Sequence, residues 1–143
     1  MRQGYRNIKK NVILLIMKKQ KKKIGHVGLF RFNYHTKSCE LDNIVRGEKD
    51  IPGIMFHACR TLIQESVRLY DLKTIYLQVF SDNEKAIALY EKLQFKEIHR
   101  IPMKRQQMQD HVSWQPASLN IYEVIERYNV VFCLSELPKL DND

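Results

Sequence analysis

The sequence predicts an α/β domain of the α+β type, with a mixed, mostly antiparallel central sheet and helices on its faces. Two observations lead to this fold class. Three runs rich in β-forming residues come first and are joined by short polar links, a pattern typical of an antiparallel meander. Amphipathic helical patterns then alternate with further strand-like runs, as expected where helices cover a sheet. The predicted element order is β-β-β-α-β-α-β-β.

The first three strands are predicted over three runs rich in β-branched and other apolar residues, namely 11–17, 24–34 and 38–45. The lysine-rich residues 18–23 are interpreted as the polar connection between the first two strands, and residues 35–37 as a turn. Gly25 and Gly28 lie inside the second strand, where glycine indicates a bulge or a close approach of another backbone.

The first helix is predicted over residues 53–70, where apolar side chains recur at helical spacing. These side chains are Met55, Ala58, Cys59, Leu62, Ile63 and Tyr70. Pro52 is expected in the first turn of this helix, because its missing N–H costs nothing there. Residues 74–80 are largely apolar on both faces, which predicts a central strand covered on both sides.

A second helix is predicted to begin at a capping residue, Asp82 or Asn83, and to run to about Leu93. Two further strands are predicted after it, over residues 95–103 and 128–134. The polar stretch 104–127 has no clear assignment apart from a short helix over residues 119–127.

The 143 residues are predicted to form one domain with a basic N-terminal segment, a core and a tail, over residues 1–10, 11–134 and 135–143. The net charge of +8 comes from the first 23 residues, which hold nine basic and no acidic groups. Such a segment fits a solvated hairpin tip or a surface that attracts a polyanion. Aromatic residues do not alternate with these lysines, so a nucleic-acid-binding surface is not predicted.

The three cysteines, Cys39, Cys59 and Cys133, are widely spaced and form no CxxC pair. We interpret them as reduced, mostly buried thiols, and we predict neither a disulfide nor a metal site. The sequence has no apolar run long enough to span a bilayer and no recognisable targeting signal. A cytoplasmic protein without a membrane partner is therefore expected.

Residues 81–95 carry the most specific pattern in the sequence. Asn83, Ala86, Tyr90 and Phe95 follow the order Asn-x-x-Ala-x-x-x-Tyr-x-x-x-x-Phe, directly after a strand. The seven residues from Asn83 to Tyr90 are about two helical turns, so these side chains lie on roughly one side of the helix. Taken alone, each fits an ordinary helix cap or a core tyrosine. Together they resemble the cofactor-binding half of the GNAT superfamily of N-acetyltransferases.

This resemblance covers residues 11–134 and implies an N-acetyltransferase that moves an acetyl group from acetyl-CoA directly to a primary amine. It implies that Asn83 contacts the pantetheine arm or the neighbouring backbone. It also implies that Tyr90 is a catalytic residue near the thioester sulfur, where it can protonate the departing thiolate. Gln94 departs from the family pattern, which commonly has glycine before the phenylalanine, at a left-handed residue that ends the helix.

In this family the loop between the third strand and the first helix binds the pyrophosphate of coenzyme A. The first turn of a helix offers free N–H groups and the positive end of the macrodipole, and glycine allows the backbone to approach phosphates. The loop here is longer than the family motif, Met55 stands where a small residue is usual, and the loop also fits an ordinary connection. The cofactor-binding residues implied by the resemblance are Ile44, Val45, Arg46, Gly47, Gly53, Ile54, Asn83, Ala86 and Tyr90.

Transfer of an acyl group to an amine needs a group that removes the amine proton. Glu40 and Asp42 lie two residues apart on the third strand and share a face, so both are candidate general bases, in no order of preference. The alternative is that they are ordinary solvent-facing carboxylates. His26 and His35 are interpreted as surface or half-buried histidines. No arrangement for a covalent enzyme intermediate is recognised.

The sequence says less about the residues that would bind the acceptor amine. Members of this family usually have a further strand and two helices upstream, which form much of the wall around the acceptor. Three explanations stay open: a truncated chain, a second subunit such as the partner in a homodimer, or a non-catalytic acyl-CoA-binding module. Trp114 and Tyr122 are hypothesised to contact the acceptor. The Arg-Gly-Glu run at residues 46–48, together with residues 81–87, also resembles acetyltransferases of amino-sugar or surface-polysaccharide synthesis. An amino sugar is therefore one expected acceptor, and other small amines and protein N-termini are the alternatives.

Overall fold

The computed structural model describes residues 2–6, 12–19, 22–46, 53–118 and 124–137, and their side chains from residue 25 onward except 43–46. Within these ranges the chain forms eight strands and two helices. The strands are β1 (Arg2–Arg6), β2 (Val12–Lys19), β3 (Lys22–Asn33), β4 (Ser38–Arg46), β5 (Thr74–Phe80), β6 (Lys96–Gln107), β7 (Val112–Pro116) and β8 (Arg127–Leu134). The helices are α1 (Ile54–Tyr70) and α2 (Glu84–Lys92).

The strands form one sheet in the order β1-β2-β3-β4-β5-β8-β6-β7. All neighbouring strands are antiparallel except β4 and β5, which are parallel because α1 carries the chain back across the sheet between them. The predicted mixed, mostly antiparallel α/β fold is therefore confirmed. The predicted element order is also present, with two strands added to it.

The two additional strands are β1 and β7. β1 lies in the segment that the sequence predicts only as a basic N-terminal stretch, and it pairs with β2 at Tyr5 and Ile13. β7 forms a hairpin with the end of β6, in the stretch without a clear assignment. Most side chains of this hairpin are exposed, so no period-two pattern marks it. The helix predicted over 119–127 is wrong where the structure is described: residues 124–126 have no regular structure, and residues 119–123 lie outside the described residues.

The lysine-rich connection predicted over residues 18–23 lies mostly inside strands, because β2 runs to Lys19 and β3 begins at Lys22. Lysine fits a strand as long as its charged end reaches water. The bulge predicted from Gly25 and Gly28 is confirmed, since the register of β3 shifts beside both glycines.

Both helices pack against the same face of the sheet, in one core cluster with β3, β4, β5 and β8. The residues of β5 that enter this core are Ile75, Leu77 and Val79. Tyr76 and Gln78 point to the other side and are exposed, so the prediction that β5 is covered on both faces is wrong. We call this uncovered side of the sheet, which carries Glu40, Tyr76 and Gln78, the open face.

The helix ends agree with local sequence rules. Asn83 is the N-cap of α2, as predicted. Gln94, just after α2, has a φ of 76°, so the left-handed residue expected at this position is confirmed. α1 begins at Ile54 behind the N-cap Gly53, while Pro52 lies outside the described residues.

Candidate active site

A gap opens between the parallel strands β4 and β5 toward their carboxyl ends. The two strands pair only near their amino ends, at Ser38–Thr74, Cys39–Ile75 and Glu40–Tyr76. Beyond these pairs, residues 41–46 of β4 and 77–80 of β5 form no ladder with each other. Unpaired backbone groups at a strand edge can bind an extended ligand as another strand would. The gap is therefore the candidate binding site.

β4 contains an extra residue beside this gap. Between the pairs Gly28–Asp42 and His26–Val45, the register advances by two residues on β3 and by three on β4. A bulge of this kind bends the strand and turns backbone groups out of the ladder. Three residues predicted to bind the cofactor lie in this part of β4, and their backbone borders the gap: Ile44, Val45 and Arg46. Gly47 lies outside the described residues.

α1 begins at the same edge of the sheet. Its N-cap, Gly53, has a φ of 76°, in the left-handed region that favours glycine. Among the described residues, a Cβ added at Gly53 would meet only Cδ2 of His57, at 3.9 Å, so their atoms leave the space beside Gly53 open. No side chain of the described residues caps this end, and the first turn holds no acidic residue. The N–H groups of Ile54 and its neighbours are therefore available to an anion.

α2 also begins at this edge, with Asn83 as its cap. Oδ1 of Asn83 accepts a hydrogen bond from the backbone N–H of Ala86 at 3.3 Å. The cap uses only the carbonyl oxygen, and within the described residues the side-chain amide nitrogen donates no hydrogen bond. An asparagine amide has two N–H donors, so Asn83 can cap the helix and bind a ligand at once.

Tyr90 lies on the helix side of the sheet, in the core cluster. Its buried ring packs against Phe95 and Phe132, with ring centroids 6.1 and 6.3 Å apart. Burial, together with the nearby acidic groups of Cys59 and Asp42, raises the pKa of Tyr90 to about 12. The influence of Asp42 means that its carboxylate and the Tyr90 hydroxyl are within electrostatic reach. In the described part of the chain the hydroxyl has no hydrogen-bond partner, so it can donate to a ligand.

Glu40 and Asp42 lie on the open face, because they alternate with the buried Cys39 and Leu41. The Asp42 side chain is 52% exposed and the Glu40 side chain 23%. Nη1 of Arg31 lies 3.1 Å from Oδ2 of Asp42 and 3.6 Å from Oε2 of Glu40. Both candidate bases thus stand at the margin of the gap, with a guanidinium beside them.

The two histidines occupy different places. His26 is half-buried on β3, opposite the part of β4 that borders the gap, and its buried Nδ1 has no hydrogen-bond partner among the described residues. His35 is exposed in the turn between β3 and β4, at the end where β4 and β5 are still paired. The fold therefore brings His26 near the gap and leaves His35 away from it.

The turn that carries Asn83 is attached to β8. The N–H of Ser81 donates to the carbonyl of Tyr128 at 2.8 Å, and Oγ of Ser81 accepts from the N–H of Tyr128 at 2.9 Å. Asp82 accepts a hydrogen bond from Arg127 at 2.6 Å. These contacts fix the start of α2 relative to the sheet.

Arg127 is held between two aromatic rings. Its guanidinium lies 4.3 Å from the ring centroid of Phe80 and 4.4 Å from that of Trp114, a favourable cation–π geometry. Trp114 is on β7, three strands from β5, so the β6–β7 hairpin curls toward β5. Trp114, hypothesised as an acceptor contact, thus packs beside the turn before α2. Tyr122 lies outside the described residues.

The thiols are poor candidates for nucleophilic catalysis. Burial raises the pKa of Cys39 and of Cys59 to about 12 and also raises that of Cys133, which keeps all three protonated near neutral pH. The described residues contain no group of three or more His, Cys, Asp or Glu that could hold a metal ion. Neither helix in this part of the chain is long and apolar enough to cross a membrane.

Comparison with known proteins identifies the family. A sequence profile described as the acetyltransferase (GNAT) domain matches residues 2–96. The chain belongs to the GNAT acetyltransferase family. No curated protein sequence matches the chain significantly.

Solved acetyltransferase structures share this GNAT fold. A variant of the spermidine N-acetyltransferase from Vibrio cholerae has a TM-score of 0.65 at 24% identity, over 87% of this chain and 65% of that one. The same enzyme in complex with CoA and spermine has a TM-score of 0.65 at 22% identity, over 86% of this chain and 64% of that one. The microcin C7 self-immunity acetyltransferase in complex with acetyl-CoA and AMP has a TM-score of 0.64 at 18% identity, over 87% of this chain and 61% of that one. The chain thus spans less than two thirds of the length of these proteins, between 61% and 65%.

Two arginines near this candidate site were not identified from the sequence. One feature of the sequence could have drawn attention to Arg31, because it is a charged residue within the apolar run from Leu29 to Phe32. No such feature marks Arg127, because its partner Asp82 lies 45 residues away in the sequence. Only the pairing of β5 with β8 brings them together.

Proposed function

We propose that this GNAT-family chain is an N-acetyltransferase that transfers an acetyl group from acetyl-CoA to a primary amine of a small molecule. One arrangement supports this proposal: the Glu40 and Asp42 carboxylates lie on the open face beside the gap between β4 and β5, and Tyr90 lies on the helix side of the sheet, close enough for Asp42 to raise its pKa. The N-termini of both helices begin at the same edge. A hydrogen-bond donor, a proton acceptor and an anion site thus surround one opening.

The site suits acetyl-CoA in an extended conformation. We place the pantetheine amides against the backbone of residues 44–46, which borders the gap and has no partner on β5. The free amide of Asn83 can donate to the same arm. The pyrophosphate suits the uncapped first turn of α1 at Gly53 and Ile54, preceded by Gly47. Ala86, one turn into α2, leaves room beside Asn83 for the ligand.

The residues divide the proton chemistry between them. Acetyl-CoA supplies the acetyl group as a thioester. Asp42 or Glu40 accepts the proton of the attacking amine while the carbon–nitrogen bond forms and the carbon–sulfur bond breaks. Tyr90, with a pKa of about 12, stays protonated at neutral pH and donates a hydrogen bond to the departing sulfur. A thiol has an ordinary pKa of about 8.5, so stabilisation of the thiolate by this hydrogen bond is favoured over complete proton transfer.

The acceptor is proposed to bind on the open face, beside the two carboxylates. Carboxylates there favour a cationic amine, because opposite charges attract. The Vibrio cholerae spermidine N-acetyltransferase, whose fold this chain shares, was solved with CoA and spermine, which supports an amine acceptor. An amino sugar is proposed as a further acceptor on the basis of the sequence pattern in residues 46–48 and 81–87.

A second candidate function is acyl-CoA binding that needs a partner for catalysis or occurs without it. The observation that favours it is the exposure of Tyr76 and Gln78, since the described residues leave the acceptor side of the sheet uncovered. A second copy of the chain, in a homodimer, is the partner we propose for this case.

Calorimetry with acetyl-CoA, followed by thiol release with spermidine, glucosamine and other primary amines, tests both candidates. We expect binding, thiol release with at least one amine, and a loss of about a hundredfold in kcat for Tyr90→Phe with acetyl-CoA affinity retained. Tyr34→Phe is the matched control, because Tyr34 is exposed in the turn far from the gap. Binding without release for any amine would support the second candidate. No binding at millimolar acetyl-CoA would contradict both.

A further inference from the structure

Arg31 has a backbone conformation that arginine rarely adopts. Its φ is 53°, in the left-handed region. It lies where the register of β3 shifts against β4: Phe30 pairs with Glu40 and Asn33 with Ser38, so three steps on β3 match two on β4. Arg31 therefore belongs to a β-bulge that contains a left-handed residue.

This bulge turns Arg31 toward the open face. Leu29 is fully buried in the core, and regular alternation would point Arg31, two residues later, to the same side. Instead, Phe32 packs against the core, and Arg31 contacts Glu40 and Asp42 on the opposite side. Bulges next to active sites commonly re-aim a side chain in this way.

The guanidinium of Arg31 bridges the two candidate bases. A single nitrogen, Nη1, lies 3.1 Å from Oδ2 of Asp42 and 3.6 Å from Oε2 of Glu40. Without this contact the Glu40 carboxylate, on a strand, would turn among several rotamers. The bridge holds both oxygens toward one point at the margin of the gap.

Stability does not account for this arrangement. The Arg31 side chain is 60% exposed, and ion pairs at such exposure add little to the free energy of folding. A left-handed arginine is strained, and glycine would fit this backbone better. Strained residues of this kind are concentrated at functional sites, and Arg31 stands beside both candidate bases.

We propose that Arg31 is a positioning residue that holds the Glu40 and Asp42 carboxylates where one of them meets the acceptor amine. This inference rests on the proposed acetyl transfer. Arg31 acts through the carboxylates on the open face, whereas Tyr90 and the helix N-termini approach from the other side and the edge. Removal of the Arg31 side chain therefore impairs proton transfer from the acceptor amine and leaves acetyl-CoA binding unchanged.

The test compares Arg31→Gly with Arg31→Lys. Arg31→Gly removes the guanidinium and relieves the left-handed strain, so we expect Tm to rise by about 2–4 °C while kcat/KM for the best amine falls about tenfold or more. The dissociation constant for acetyl-CoA stays at the wild-type value. Arg31→Lys keeps the charge without the planar fork, and it retains more activity than the glycine variant.

Gln94→Gly is the matched control, because Gln94 has a φ of 76° and lies away from the carboxylates. The Gln94→Gly variant gains stability by relief of left-handed strain, as Arg31→Gly does, and it keeps the wild-type kcat/KM. A wild-type kcat/KM in Arg31→Gly overturns the positioning role and leaves the proposed function intact. An equal loss of acetyl-CoA affinity also overturns it, since the damage then lies in the cofactor half. Absence of thiol release by the wild-type protein with every amine overturns the proposed function and this role with it.

Discussion

Tyr90 combines a buried ring with a hydroxyl that has no hydrogen-bond partner in the described part of the chain. Burial of the side chain raises the pKa of Tyr90, because it disfavours the charged phenolate, and the acidic groups of Cys59 and Asp42 raise the pKa further. Phenylalanine would keep the ring contacts with Phe95 and Phe132. A loss of activity in Tyr90→Phe can therefore be assigned to the hydroxyl.

Gln94 is strained for a reason that is entirely local. Its φ of 76° suits glycine, so we expect Gln94→Gly to raise the free energy of unfolding by about 1 kcal/mol. Urea denaturation measures the change. Gln94→Ala removes the same side chain but keeps a Cβ, and it gains nothing. Equal stability of the two variants would contradict this explanation.

Glu40, Asp42 and Arg31 show the limit of reasoning from single residues. The period of two along a strand was enough to place Glu40 and Asp42 on one face. The same period does not hold for Arg31, since the bulge in β3 reverses the direction of that side chain. A bulge depends on how two strands pair, which is a property of the element and its neighbour.

At the scale of elements, α2 is defined by its cap and by the turn before it. Oδ1 of Asn83 caps the helix, while Ser81 and Asp82 attach the turn to Tyr128 and Arg127 of β8. The helix is only nine residues long, and helices this short depend on tertiary contacts for stability. Any ligand held by Asn83 therefore depends on this attachment as well.

Two substitutions of Asn83 separate its structural role from its proposed role in binding. Asn83→Ala removes the cap, and we expect a loss of about 1 kcal/mol in the free energy of unfolding together with weaker acetyl-CoA binding. Asn83→Asp keeps a capping oxygen but removes the amide donors, so stability stays near the wild-type value while the affinity falls. Urea denaturation and calorimetry measure the two quantities. Wild-type affinity in Asn83→Asp would rule out the amide contact.

α1 and the strands on either side of it create the gap. The crossover from β4 through α1 makes β5 parallel to β4, and their ladder stops after Glu40 and Tyr76. Both helices then begin at the carboxyl ends of these strands, where α/β proteins usually bind ligands. The position of the candidate site thus follows from the crossover connection through α1 and from where the pairing of β4 with β5 stops.

At the scale of the whole molecule, acidic groups from three elements are buried in one core. Burial raises the pKa of Cys39 on β4 and of Cys59 on α1 from 9.0 to about 12, and that of Tyr90 on α2 from 10.0 to about 12. The unfolded chain ionises these groups at their ordinary values, while the folded chain keeps their protons. Because the unfolded state then binds fewer protons, stability falls as the pH rises from 9 toward 12.

This alkaline sensitivity can be measured by urea denaturation between pH 8 and pH 11. Each buried thiol contributes a slope of about −1.4 kcal/mol per pH unit once the unfolded chain has ionised. Cys59→Ala removes one of these contributions, whatever it does to stability at pH 8. A pH slope that is the same in Cys59→Ala and in the wild-type protein would show that this thiol is not protected by the fold.

The sequence by itself determined the fold class and the two helices with the Asn83 cap, and its motif indicated the GNAT family, whose pattern implied a left-handed residue at Gln94. The fold class, the helices and the cap depend on periodicity and capping, which act over a few neighbouring residues. Only the tertiary structure decided that both helices cover one face, that β4 and β5 separate beyond Glu40, and that Arg31 and Arg127 meet their acidic partners. Strand register, ladder ends and the bulge at Arg31 are set by contacts between distant segments, and no local pattern in the sequence encodes them.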